Sequence, residues 1–180
     1  MPIVRGKDIE VLYSASAIAR RNLELAKEIA AHEYTDLLVI SVLKGSFIFA
    51  ADLIRAMHDV GLSPEVEFIF ISSYGAGTTS GEVRVLRDID NDVAGRDVLL
   101  IDDILESGKT LSFARKLMLD RGAKSCGVAV LLDKRMRRQM TLDADYVGFD
   151  CPDHFVVGYG MDVAHAFREL PFVGIVRGDA

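Results

Sequence analysis

The chain reads as an α/β fold, a mostly parallel sheet flanked by helices on both faces. Three observations lead there. Apolar runs at 36–42, 98–101 and 125–133 are continuous rather than alternating, as in strands buried on both faces. Stretches of helical character lie at 15–31, 46–59 and 110–120. Strand and helix therefore alternate along the chain, the pattern of parallel strands joined by helical crossovers. The 180 residues suffice for one domain with its own core, and no repeat or linker divides 1–180.

Taken in order, 15–31 is alanine-rich, with Ile18, Leu25 and Ile29 at helical spacing. Residues 36–42 form a buried strand. The helix at 46–59 is closed by Gly61. A second strand covers 66–72. Residues 73–81, Ser-Tyr-Gly-Ala-Gly-Thr-Thr-Ser-Gly, are too rich in small and polar groups to pack and read as a loop. That loop is either a surface connection or a lid, with Tyr74 as its one bulky group early on. Val83 and Val85 alternate with Arg84, as in an exposed antiparallel strand. The strand at 98–101 precedes the helix at 110–120, which Gly122 follows. Further strands fall at 125–133, 146–149, 155–159 and 173–176.

Half the residues are hydrophobic and 27% are charged, a globular balance. No long uncharged apolar run is present, so no membrane-spanning helix is expected. Arg5, Lys7, Asp8 and Glu10 leave no room for a signal peptide's apolar stretch. Two cysteines, Cys126 and Cys151, make no disulfide framework and no metal spacing; the expectation is a cytoplasmic protein. Cys126 opens an apolar run and reads as core. The net charge of −6 opposes general binding to nucleic acid or anionic membrane. A polyanionic substrate then needs local positive charge, for which Lys44, Lys109, Lys134 and Arg168 are the candidates.

The most informative stretch is 98–111. Four apolar residues run into Asp102 and Asp103, then a short turn, then Ser107-Gly108-Lys109-Thr110 opening a helix. Ligands of open parallel sheets sit beyond the carboxyl ends of the strands, where the two acids fall. Ionised carboxylates offer only acceptors, which suits vicinal ribose hydroxyls. The helix start presents N–H groups and partial positive charge to a phosphate, and Gly108 admits close backbone approach. A nucleoside-triphosphate P-loop is excluded, because the glycine it needs five residues before Gly108 is Asp103.

Leu43-Lys44-Gly45-Ser46 also joins a strand to a helix. It is either a plain turn or a second anion cradle at the same sheet edge. Lys134 follows the strand ending at Asp133; it either donates to a ligand carbonyl or belongs to a solvated basic face with Arg135, Arg137 and Arg138. A nucleic-acid patch there lacks interleaved aromatics. In the stretch 152–162, Phe155 suits stacking on a flat heteroaromatic ring. Gly158 and Gly160 lack the third glycine of a dinucleotide fingerprint, since Val163 stands there. Asp162 suits magnesium through oxygen, and Arg168 suits pyrophosphate. His154 and His165 read as surface residues.

Together these motifs resemble the type I phosphoribosyltransferases, and among them the hypoxanthine-guanine phosphoribosyltransferases. The resemblance spans about residues 9–176, with all motifs in family order. It implies that family's fold, with a small hood and a flexible loop over Ser73 and Tyr74. It implies transfer of a phosphoribosyl group from phosphoribosyl diphosphate to a 6-oxopurine, with magnesium. It also implies roles. Leu43, Lys44, Gly45, Ser46 and Arg168 would bind pyrophosphate, with a cis peptide between Leu43 and Lys44. Asp102 and Asp103 would hold the ribose. Glu106, Ser107, Gly108, Lys109 and Thr110 would wrap the 5′-phosphate. Lys134, Phe155, Val156 and Asp162 would contact the purine. Asp162, Asp102 and Asp103 would serve magnesium, and Glu106 would be the general base. A homodimer or homotetramer, no nucleic acid and no membrane are expected.

The chain departs from the family at two acids. Relatives often carry Glu at the position of Asp102 and usually Asp at that of Glu106. Glu has similar acidity to Asp but is one methylene longer. The alternatives are a xanthine-guanine phosphoribosyltransferase, or a non-catalytic nucleotide-sensing regulator of the same fold.

Overall fold

A computed structural model describes residues 2–74 and 82–177. In chain order the elements are β1 (Ile3–Val4), β2 (Lys7–Tyr13), α1 (Ala15–Ala31), β3 (Leu38–Leu43), α2 (Phe47–Asp59), β4 (Glu65–Tyr74) and β5 (Glu82–Arg87). There follow β6 (Asp97–Leu105), α3 (Lys109–Asp120), β7 (Ser125–Asp133), β8 (Tyr146–Asp150), β9 (Val156–Val157) and β10 (Val173–Arg177). Among the described residues the main sheet has the order β5-β4-β3-β6-β7-β8. Every pairing in it is parallel except that of β5, which runs antiparallel along β4.

Continuous apolar strands are needed because both faces are covered. Val39, Leu99, Ile101 and Leu131 lie beneath α1 and α2, packed with Ile18, Leu25, Phe49 and Leu53. Their sequence neighbours Leu38, Ile40, Leu100 and Val130 point the other way, onto Leu111, Ala114 and Met118 of α3. Cys126 is in that second core, and its burial pushes the thiol up to about 12. Ser14 caps α1, its hydroxyl accepting from the Ala17 N–H at 3.2 Å.

A second, antiparallel sheet has the order β1-β2-β10-β9 and forms the hood. Ile9, Val11 and Tyr13 alternate with Asp8, Glu10 and Leu12 along β2, a short strand that pairs with β10. The strand expected over 155–159 shortens to Val156–Val157, because Gly158, Tyr159 and Gly160 all take positive φ and turn the chain.

Two strands run longer than expected, and both extensions shape the site. The strand at 98–101 does not stop at its acids; β6 continues through Asp102 and Asp103 to Leu105. Its pairing with β3 ends at Ile101, while β7 carries it on from Asp102↔Val130 to Leu105↔Asp133. β4 likewise takes in Ser73 and Tyr74, which the sequence assigns to a loop, because they pair with Val83 and Glu82 of β5. The rest of that expected loop, 75–81, lies outside the described residues.

Candidate active site

Where β6 outruns β3, the chain turns through Glu106 and Ser107 into α3. Gly108 occupies the N-cap at φ 84°, in the left-handed region that favours glycine. Gly108 has no side chain to cap the helix, and the Ser107 hydroxyl accepts only from the Lys109 N–H, at 3.3 Å. A cavity of about 230 Å³ opens there, lined by Asp102 to Gly108, Thr110 and Leu111. Its lining runs over the start of α3, where helix N–H groups without intrahelical partners can meet a ligand. Lys109 is not part of this wall; it lines a separate groove with Val83, Phe113 and Met140.

A larger cavity, about 650 Å³, adjoins it. Leu43, Lys44 and Gly45 supply one side, across the cis peptide between Leu43 and Lys44. Lys134, Phe155 and Val156 also line it, as do Asp162, Arg168 and Ser73. Asp103 and Glu106 line both cavities and so mark their junction. The packing around the turn is tight. A Cβ on Gly45 would fall 2.0 Å from Asp103 Oδ2, and one on Gly160 would fall 2.4 Å from the Gly45 carbonyl oxygen.

Charges in the larger cavity are mostly paired. Lys134 Nζ donates to Glu106 Oε1 at 3.0 Å and lies 3.6 Å from Asp153 Oδ1. Arg137 Nε donates to Asp153 at 2.7 Å. Arg168 pairs with Asp162 at 2.9 Å and donates to the Gly160 carbonyl at 2.6 Å. Lys44 has no acidic partner among the described residues and stands 5.2 Å over the Phe70 ring. Asp102 is buried; desolvation, and next the charge of Asp103, push its carboxyl well above the usual carboxylate range. Burial also raises Asp103, against the Ile104 amide and the Arg168 charge.

The structure thus gathers nearly all the candidate residues at the two cavities; besides Lys109, noted above, Ser46 is the exception, and of the basic run only Arg137 lines the site. Ser46 is fully buried; its hydroxyl donates to the Val42 carbonyl at 2.5 Å and lies 2.9 Å from Ser41 Oγ. It therefore locks the turn from behind and does not face the cavity. Arg135, Arg137 and Arg138 are not an open basic face, because each pairs with a carboxylate: Asp133, Asp153 and Asp133 respectively. Lys134 itself is 4% exposed, whereas Phe155 is 64% exposed. Residues that sequence reasoning missed include Phe70, Arg137 and Asp153. Asp153 sits in the stretch 152–162, and only its pairing with Arg137 reveals a role.

Among the described residues no cluster of three or more metal-ligating side chains occurs. The oxygen donors are the carboxylates of Asp102, Asp103 and Glu106 along the smaller cavity and of Asp103, Glu106 and Asp162 along the larger. Such a sparse oxygen set fits magnesium, which commonly takes one or two carboxylates, keeps several waters and shares a substrate's phosphates.

The phosphoribosyl transferase domain profile matches residues 8–164. The chain belongs to the phosphoribosyl transferase family. It is 47% identical to the hypoxanthine-guanine phosphoribosyltransferase of Bacillus subtilis, over 94% of this chain and 94% of the relative. It is 41% identical to the hypoxanthine phosphoribosyltransferase of Escherichia coli, over 93% and 95%. The crystal structure of a Bacillus anthracis hypoxanthine-guanine phosphoribosyltransferase superposes with a TM-score of 0.88 at 42% identity, covering 94% of this chain and 100% of that one. The type I phosphoribosyltransferase fold expected from the sequence is therefore the fold observed. Among the described residues no helix is long and apolar enough to cross a membrane.

Proposed function

We propose that this chain transfers the 5-phosphoribosyl group from phosphoribosyl diphosphate to hypoxanthine, and to guanine, in purine salvage. The products are IMP or GMP and pyrophosphate, and the setting is the cytoplasm. The observation that carries the reading is the junction: Asp103 and Glu106 line both a cradle at the start of α3 and a wide cavity holding Lys134 and Phe155. A ribose bridging a phosphate and a base needs that arrangement.

The roles follow from donors and acceptors. Amides at the α3 start hold the 5′-phosphate, and Asp102 and Asp103 accept from the ribose hydroxyls. Lys134 donates to the purine 6-carbonyl. Adenine presents an amino group there, so donor would face donor and adenine is rejected. Phe155, exposed in the cavity wall, stacks on the ring. Glu106 accepts the imidazole proton as the base attacks the sugar. Arg168 and the Lys44 turn receive the departing pyrophosphate. Two of these cations trade a protein carboxylate for a ligand oxygen: Lys134 loosens Glu106, and Arg168 loosens Asp162. Asp102, Asp103 and Asp162 would hold magnesium, which would supply positive charge for the leaving pyrophosphate.

The relatives' hypoxanthine names favour this reading over the xanthine-guanine alternative. The pairing of Arg135, Arg137 and Arg138 with carboxylates weakens the support for a nucleic-acid-binding regulator. The test is steady-state transfer to hypoxanthine, guanine, xanthine and adenine in parallel, with a magnesium-free control. Transfer to hypoxanthine or guanine but not adenine is expected. Equal use of adenine would remove Lys134 from its role, and no transfer at all would overturn the activity.

A further inference from the structure

In the sequence Arg135, Arg137 and Arg138 look alike; in the fold they do not. The side chains of Arg135 and Arg137 are 72% and 60% exposed, that of Arg138 only 15%. Arg138 reaches inward. Its Nε donates to the Glu106 carbonyl at 3.0 Å, and one terminal nitrogen to the Leu142 carbonyl at 2.5 Å. The other terminal nitrogen donates to the buried Asp133 carboxylate and, at 3.5 Å, to the Leu105 carbonyl. The adjoining backbone makes the same kind of contact. Gln139 and Met140 N–H donate to the Ser107 carbonyl at 2.9 and 3.0 Å, and Lys134 N–H to that of Leu105 at 2.9 Å.

Three consecutive carbonyls, at 105, 106 and 107, are thus held by one segment, 134–140. A trans peptide is planar, so its carbonyl and the following N–H point in opposite directions. With the carbonyls drawn toward 134–140, the N–H groups of Glu106, Ser107 and Gly108 turn the other way, toward the cradle those residues line. The fit is close. A Cβ on Gly108 would meet Met140 Cβ at 3.2 Å and Arg138 Cδ at 3.3 Å.

We infer that Arg138 is a positioning residue for 5′-phosphate recognition: with the Gln139 and Met140 amides it fixes the peptides at 105–107 so that the cradle's N–H groups face the phosphate. It touches no substrate. Because its segment begins at Lys134, it also ties the phosphate cradle to the base pocket. Asp133 serves as its buried counter-ion. The inference rests on the reading of the cradle as a phosphate site.

The test titrates inosine 5′-monophosphate and inosine into the wild-type protein, Arg138→Met and Arg138→Lys. The wild type should prefer the nucleotide. In Arg138→Met that preference should fall by about tenfold or more, the scale of a lost charge-assisted hydrogen bond, with inosine affinity unchanged. Arg138→Lys keeps the charge beside Asp133 but loses the planar fork, so its preference should fall by about threefold. In steady state the KM for phosphoribosyl diphosphate should rise more than kcat falls. A merely structural role would lower the melting temperature while leaving the nucleotide-to-nucleoside ratio in place. If Arg138→Met does not fold, Arg138→Lys decides alone. An unchanged ratio in a folded variant, or equal weakening of both ligands, overturns the inference. A wild type without nucleotide preference would instead overturn the cradle as a phosphate site.

Discussion

The smaller cavity of the site is walled by one stretch, 102–111, whereas the larger draws on residues from Leu43 to Arg168. The smaller contains no side-chain cation and lies over the N–H groups of a helix start. The larger offers side-chain cations, of which Lys134, Arg137 and Arg168 are already paired with carboxylates. A phosphate in the cradle meets helix-start N–H groups, while a ligand that engages Lys134 or Arg168 in the larger cavity competes with a protein carboxylate. Recognition in the cradle therefore depends on backbone direction, and in the larger cavity on exchange between charges.

Glu106 belongs to both regions, so its substitution should have the largest effect. Glu106→Gln keeps the length and the acceptor for Lys134 but takes no proton. Turnover should fall roughly 1,000-fold, within the range for loss of a general base, with the KM for phosphoribosyl diphosphate little changed. Stopped assays of kcat and KM measure both, and an unchanged kcat removes Glu106 from the base role.

Gly45→Ala tests how far the larger cavity depends on tight packing. The new Cβ would lie 2.0 Å from Asp103 Oδ2, so the carboxylate must swing aside. Misplacement of that order should cost about 100-fold in kcat/KM. A variant with wild-type kcat/KM would show that Asp103 need not stand where it does. Ser46→Ala, one residue along, is the contrast. It removes a buried hydroxyl bonded to the Val42 carbonyl, for a stability loss of about 1 kcal/mol in denaturant melts. Its KM for phosphoribosyl diphosphate should move far less than that of Gly45→Ala. A large rise would return Ser46 to the pyrophosphate site that its sequence position suggests.

The same contrast explains what could be read in the chain. Glycine at 108, acids at 102 and 103, and the apolar run before them are local signals, so the cradle and the sheet that carries it were legible. The cis peptide follows from family resemblance alone, whereas residue type already offers Lys134 as a donor and Phe155 as a stacking face. The exchange partners did not come through, because nothing near Lys134 in sequence announces that Glu106 lies 3.0 Å from its ammonium. Arg138 is separated from Arg137 by burial alone. Ser46 and Lys109 sit inside legible motifs yet face away, since a motif fixes the backbone path and tertiary packing decides where each side chain points. Strand ends were misjudged for a related reason: β6 extends because β7 is long enough to pair with it.

The smallest expected effect concerns Asp102, the cradle acid whose ionisation the fold opposes most. Burial and the Asp103 charge raise the Asp102 carboxyl above its unfolded value. The folded chain therefore holds that proton more tightly than the unfolded chain. The stabilisation is complete below the unfolded pKa of about 3.9 and is lost as pH rises through the raised one. Asp102→Asn removes the ionisation. Its amide oxygen can still accept from the Asp103 N–H, as the carboxylate does at 2.9 Å, and its NH2 can donate to the Asp103 carboxylate. At neutral pH the variant should melt about 2–4 °C higher, the shift that roughly 1 kcal/mol gives a domain of this size. The gain should shrink toward zero as pH approaches 4. A gain that stays constant across that range would mean that packing, not charge, is responsible, and that the cradle tolerates its acids better than their burial implies.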